Sequence, residues 1–234
     1  MTAARQEIIV FGGTFDPPHQ GHIECVELVL ENFPNAKVWI IPSASPAFAR
    51  HSKEKTPHYS YEDRLQLCRL AFQDNTNLPK NKIIISDIEN SAIERNYTIN
   101  TLKKISDLNP SAKIFFLIGQ DQLESFSKWY KPKEILEIAS LIAVSRPNSD
   151  HTTLNKLTEK LANDLMLQLD WNQTKDIAKL GKEKKYNVFL FSTLKNDVAS
   201  SKIWHYINSH ESIPDAWLPE SIKTIIEKNM KGYK

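Results

Sequence analysis

The 234-residue chain holds only six glycines and two cysteines. So little glycine excludes a low-complexity or loop-dominated protein and makes the place of each one informative. Two cysteines cannot build a disulfide framework. Cys25 and Cys68 both fall in helical apolar patterns without metal-ligand spacing, so they are expected as buried thiols of a reducing compartment. No apolar run reaches the roughly 18 residues of a membrane span, and the opening Met-Thr-Ala-Ala-Arg-Gln-Glu has no apolar signal-peptide core. A cytoplasmic protein with no membrane partner is expected. Charge of one sign is also lacking. The 30 basic and 28 acidic residues leave a formal +2 and are interleaved, which argues against a nucleic-acid partner.

What remains is an ordinary globular composition, 41% hydrophobic and 25% charged, in a chain long enough to bury a core. Short apolar runs at 8–11, 38–41, 82–85, 114–118, 141–144 and 188–191 read as strands. Helical patterns lie near 20–32, 60–72, 99–106 and 132–139, with two more near 200–208 and 219–229. Ser60-Tyr61-Glu62-Asp63 resembles a capping box at the start of the second helix. This alternation predicts an α/β fold: a Rossmann-like open parallel sheet, helices on both faces and a small C-terminal helical part. Residues 1–147 read as the core, and 148–186 as a surface insertion of one or two helices. Residues 187–234 read as the last strand and C-terminal helices completing the same domain. Residues 43–58 show no periodicity and read as a long loop.

The chemistry concentrates in Gly12-Gly13-Thr14-Phe15-Asp16-Pro17-Pro18-His19-Gln20-Gly21-His22, between the first strand and the first helix. Glycines let the backbone approach a phosphate, and the free N–H groups and dipole at a helix start favour an anion. His19 and His22, three apart, project toward the same bound group, and Gly21 removes a side chain that would block its approach. Three of the six glycines fall here, and a fourth, Gly119, ends another strand. A His-x-x-His pair alone is more often surface or structural, and no third ligand at suitable spacing points to a protein metal site.

The segment resembles the Gly-Gly-x-Phe-Asp-Pro-x-His-x-Gly-His signature of the nucleotidyltransferase α/β phosphodiesterase superfamily, and within it the bacterial nicotinate-nucleotide adenylyltransferases. Further matches keep the family order: Ile41-Pro42, Glu62-Asp63-Arg64, Asp87-Ile88-Glu89, then the run Tyr97-Thr98-Ile99-Asn100-Thr101-Leu102. Phe116-Leu117-Ile118-Gly119-Gln120-Asp121, Trp129 and Val144-Ser145-Arg146-Pro147 follow. The resemblance makes residues 1–147 a nucleotidyltransferase core. It implies that ATP and nicotinate mononucleotide are joined to deamido-NAD and pyrophosphate in NAD biosynthesis, without a covalent enzyme intermediate. It implies His19 and His22 as catalytic residues. ATP would be held by Gly12, Gly13, Thr14, Phe15, Gly119, Asp121, Arg146, Ser200 and Ser201, with Mg²⁺ carried by the nucleotide. Tyr97, Thr98, Thr101 and Trp129 would hold the mononucleotide, Trp129 by stacking on the pyridine ring. A homodimer is compatible with the resemblance.

The chain departs from the family in several places. Where the family reads Ile-Ser-Ser-Thr-x-Ile-Arg, with its arginine on ATP phosphates, this chain has Val198-Ala199-Ser200-Ser201-Lys202-Ile203-Trp204. Trp204 cannot replace a guanidinium fork. The family's Pro-Pro-His-Lys loop is altered as well, leaving Arg50 and Lys53 as replacement loop contacts to phosphate. Asn96 and Asn100 stand where serine and an acidic residue are usual. Nicotinamide mononucleotide, another phosphate acceptor such as phosphopantetheine, and a weakly active nucleotide-binding protein remain alternatives. A class I aminoacyl-tRNA synthetase fragment fits less well, because the chain is short and near-neutral.

Overall fold

The structure, a computed structural model, describes residues 5–44, 56–74, 77–90, 96–147, 149, 151–174, 176–192 and 196–232. Two compact units divide the chain. One comprises Met1–Phe11, Asn35–Lys37 and Asn96–Leu194, the other Gly12–Pro34, Val38–Arg95 and Lys195–Lys234. The strand order is β3-β2-β1-β4-β5-β8-β7-β6, a mostly parallel sheet of the Rossmann-like α/β class.

In the first unit the start of β1 (Glu7–Gly13) pairs in parallel with β4 (Lys113–Gly119), from Glu7↔Lys113 to Phe11↔Leu117. β5 (Ala139–Val144) and β8 (Tyr186–Phe191) continue the parallel ladder. Ile114 to Ile118 and Leu141 to Val144 are buried at every position. Strands covered on both faces need such unbroken apolar runs, which is why the sequence shows no polar alternation there. α3 (Thr98–Leu108), α4 (Gln120–Ser125), α5 (Pro132–Ile138) and α6 (His151–Asp164) fill the connections.

Residues 148–186 differ from the expected helical insertion. Among the described residues α6 is the one α-helix there, inward through Leu154, Thr158, Leu161 and Ala162, with a short 3-10 turn at Lys182–Lys184. It is followed by β6 (Leu169–Trp171) and β7 (Ile177–Leu180), antiparallel strands beyond β8. Ala178 and Leu180 are buried while Lys179 is exposed, so the period is two. Four residues of alternation beside a charge run are too short a signal to read from composition. The Asn172 side chain closes the hairpin, accepting the Ile177 N–H at 3.1 Å and donating to Thr174 Oγ1 at 2.8 Å. α4 is a further element without a sequence signal; at six residues it shows no periodicity.

In the second unit β2 (Ala36–Pro42) pairs in parallel with β3 (Ile83–Ile85) from Val38↔Ile83 to Ile40↔Ile85. α1 (Gln20–Asn32) buries Ile23, Val26, Val29 and Leu30. α2 (Tyr61–Cys68) begins at Ser60, whose hydroxyl accepts the Asp63 N–H at 3.1 Å, and a π-helical turn carries it on to Gln73. α7 (Ser200–Asn208) and α8 (Glu220–Gly232) complete the unit. Cys25 and Cys68 are buried thiols as expected, and burial pushes the Cys68 thiol up, so it stays protonated and unreactive. Leu141, with no exposed surface, lies between β4 and β8. Leu141→Ala is expected to cost about 2–5 kcal/mol, seen as a lower urea midpoint at unchanged slope.

Candidate active site

In the second unit, β1 hands the chain to α1 through the glycine–histidine segment. The Ser43 N–H donates to the Gly13 carbonyl at 2.8 Å and ties the end of β2 to the turn. A Cβ at Gly13 would lie 3.0 to 3.3 Å from the Phe15 ring, so glycine is favoured because that ring folds back over it and would otherwise have to shift. Phe15 is buried and has φ +50°, a left-handed conformation uncommon for a bulky residue. The Asp16–Pro17 peptide is cis. His19 precedes the first turn of α1 and His22 closes it.

The His19 backbone N–H donates to His22 Nδ1 at 3.2 Å, so a neutral His22 carries its proton on Nε2. The two imidazoles stack with centroids 3.7 Å apart at 23°, and Phe15 meets the His22 ring edge-on at 4.9 Å. A Cβ at Gly21 would come within 3.2 Å of Val198 Cγ1 and 3.3 Å of His19 Nδ1. The protein's own packing therefore favours glycine there, since a larger residue would press on Val198 and His19, beyond the open approach expected from the sequence.

The carbonyls and carboxylate of the turn are held from several sides. Asp16 Oδ2 accepts the His58 N–H at 2.8 Å and lies 3.1 Å from His58 Nδ1, while Oδ1 accepts the Tyr59 N–H at 3.0 Å. The Trp204 indole N–H donates to the Asp16 carbonyl at 2.8 Å, and its ring stacks on His58 at 3.8 Å and 15°. Ser200, at the start of α7 beside Ser201, donates its hydroxyl to the Pro17 carbonyl at 3.0 Å. Trp204 thus grips the turn from within α7. Arg64 is 2% exposed and donates to the carbonyls of Thr14 (2.7 Å), Ser43 (2.8 Å) and Tyr59 (3.3 Å). Burial lowers its pKa and the Asp16 carboxylate opposes that shift. Arg50 and Lys53 lie outside the described residues.

In the first unit, Tyr97 caps α3, Thr98 is its first residue and Thr101, one turn in, is buried. The Tyr97 ring lies 4.5 Å from that of Tyr130, a neighbour that the sequence did not single out. Trp129 is half-buried: its ring packs on Phe126 at 5.2 Å and Phe116 at 6.0 Å, and its indole N–H donates to Ser125 Oγ at 3.3 Å. The Gly119 N–H donates to Gln122 Oε1 at 3.0 Å, and a Cβ there would meet no heavy atom within 4 Å. The Asp121 carboxylate pairs with the Arg146 guanidinium at the surface, an arrangement worth little to stability.

Compared with known proteins, residues 10–206 match the cytidylyltransferase-like family. A probable nicotinate-nucleotide adenylyltransferase of Maridesulfovibrio salexigens is 34% identical, over 66% of this chain and 68% of its own length. The chain belongs to the cytidylyltransferase-like family, among its nicotinate-nucleotide adenylyltransferases. The Bacillus subtilis nicotinate-nucleotide adenylyltransferase is 33% identical over 61% of this chain and 70% of its own. A probable member from Coxiella burnetii is 28% identical over 93% and 94%. The fold is that of Plasmodium falciparum nicotinic acid mononucleotide adenylyltransferase complexed with NaAD, with TM-score 0.67 and 19% identity over 98% of both chains.

Sequence reasoning gave no role to His58 or Arg64. A signal for Arg64 was present, because position 64 shares a helix face with the buried Leu67 and Cys68. No comparable signal marks His58, whose partners are 42 and 146 positions away. Trp204→Phe is expected to keep the stack on His58 but lose the bond to Asp16, lowering stability by about 1 kcal/mol, and Trp204→Ala by more. Thermal unfolding checks both.

Proposed function

We propose that this chain transfers the adenylyl group of ATP to the 5′-phosphate of nicotinate mononucleotide, giving deamido-NAD and pyrophosphate in NAD biosynthesis. The observation that carries this reading is His22, set at a helix start with Nδ1 occupied by a backbone N–H and its proton on Nε2. An acceptor phosphate oxygen attacks the α-phosphorus in line. The bond to the β-phosphate breaks, and pyrophosphate leaves with the bonding electrons. His22 Nε2–H donates to the α-phosphoryl oxygen as charge develops there. His19 binds neighbouring phosphate oxygens, with backbone from Gly12 to Phe15, and Ser200 and Ser201 extend the cradle. Mg²⁺ enters with ATP as part of the substrate. In this reading Arg50 and Lys53 add loop cations, and Gly119, Asp121 and Arg146 contact the nucleotide.

At the acceptor end, Tyr97, Thr98 and Thr101 surround the nicotinate ring and Trp129 stacks on it. The start of the eleven-residue α3 supports the acid over the amide, since its dipole favours a carboxylate over a neutral carboxamide. Two buried thiols fit a cytoplasmic enzyme.

The test is pyrophosphate release from ATP with nicotinate mononucleotide, nicotinamide mononucleotide and phosphopantetheine in parallel. Nicotinate mononucleotide is expected to be preferred. Preference for the amide would move the substrate, and silence with all three would overturn the activity. His22→Ala is expected to lower kcat by on the order of 10² or more with the circular dichroism spectrum unchanged.

A further inference from the structure

We infer that Arg64 is the positioning residue for His22, acting through Thr14 and Phe15 rather than on the reacting atoms. This rests on the role of His22 proposed above. A guanidinium that is 2% exposed carries a desolvation cost that an apolar side chain at the same place in α2 would not. Among the described residues its hydrogen bonds all go to backbone carbonyls, those of Thr14, Ser43 and Tyr59.

Those carbonyls belong to three separate segments, and each is tied to the same turn. Thr14 is part of it. Ser43 returns its own N–H to the Gly13 carbonyl at 2.8 Å, and the Tyr59 N–H reaches Asp16 Oδ1 at 3.0 Å. The planar fork of Arg64 therefore closes the end of β2 and the start of α2 around the turn from β1 into α1.

The path to His22 is short. The peptide between Thr14 and Phe15 is planar, so a carbonyl held at 2.7 Å by Nη1 sets the plane from which Phe15 departs. With φ +50°, Phe15 stands in a region that a bulky residue keeps only when its surroundings over-determine it. From there its ring is directed between Phe72, at 6.0 Å and 77°, and His22, at 4.9 Å and 68°. His22 is thus held by His19 on one face and by the Phe15 ring, and the second support depends on Arg64. Lysine at 64 would retain the charge but gather its donors on one nitrogen, which cannot serve three carbonyls in three directions.

The experiment compares wild type, Arg64→Lys and Arg64→Met by steady-state kinetics, thermal unfolding and the imidazole proton resonances of His22 in the ligand-free protein. Arg64→Lys is expected to fold and to keep KM for nicotinate mononucleotide within about twofold. Its kcat should fall by about 10- to 10²-fold, the scale set by displacing a reacting group by about 1 Å, and its His22 resonances should move. Arg64→Met should be at least as impaired; should it not fold, the lysine variant decides. A lysine variant with wild-type kcat, or with unmoved His22 resonances, overturns the inference whatever its melting temperature, because a merely stabilising arginine would lower Tm alone. The resonances are read without substrate. A wild type that releases no pyrophosphate would therefore sink the proposed function, and the inference about Arg64 would still be judged.

Discussion

A tight turn that enters a helix while holding a bulky residue at positive φ has polar groups with nowhere to go unless other segments supply donors. In this protein the carbonyls of Gly13, Thr14, Asp16 and Pro17 and the Asp16 carboxylate are all met: by Ser43, Arg64, Trp204, Ser200, and the N–H groups of His58 and Tyr59. These donors come from the end of β2, the approach to α2, α2 itself and α7. The proposed chemistry of His19 and His22 depends on that ring of donors, since the two imidazoles face each other only if the turn keeps its shape.

The same principle explains how the chain lives with Trp204. An arginine would add a cation in the middle of α7. Tryptophan adds an indole N–H and a flat apolar face, and both are used inward, on Asp16 and on His58. Trp204 therefore gives the turn a hydrogen bond and a stack, and no charge. Trp129 shows a similar balance: it rests on Phe116 and Phe126 and donates to Ser125, so its ring is oriented by the core while part of it stays accessible.

Much of the fold is legible in the pattern of residues. The parallel strands announce themselves through unbroken apolar runs, and α1, α3 and α7 through helical spacing, because those patterns are direct consequences of burial on two faces or on one stripe. The elements that escape such a reading do so for physical reasons. β6 and β7 are short, half-exposed and joined by a polar turn, and α4 is under two turns long. Within the candidate site, residues carried by one contiguous segment are legible. His58 and Tyr130 are not, because their meaning lies in contacts made across the chain or with a neighbouring ring, and for Arg64 the helix face signals burial but not the carbonyls it holds.

By itself, then, the sequence determined the family, the alternation of strands and helices, and the segment from Gly12 to His22 as the candidate place for the proposed phosphate chemistry, since local spacing and residue type carry that information. Tertiary structure alone decided which nitrogen of His22 holds the proton, that Trp204 is a clamp, and that Arg64 spans three carbonyls. Hydrogen-bond partners 50 or 188 positions apart leave no periodic trace, because nothing in the local chain has to change for them to meet.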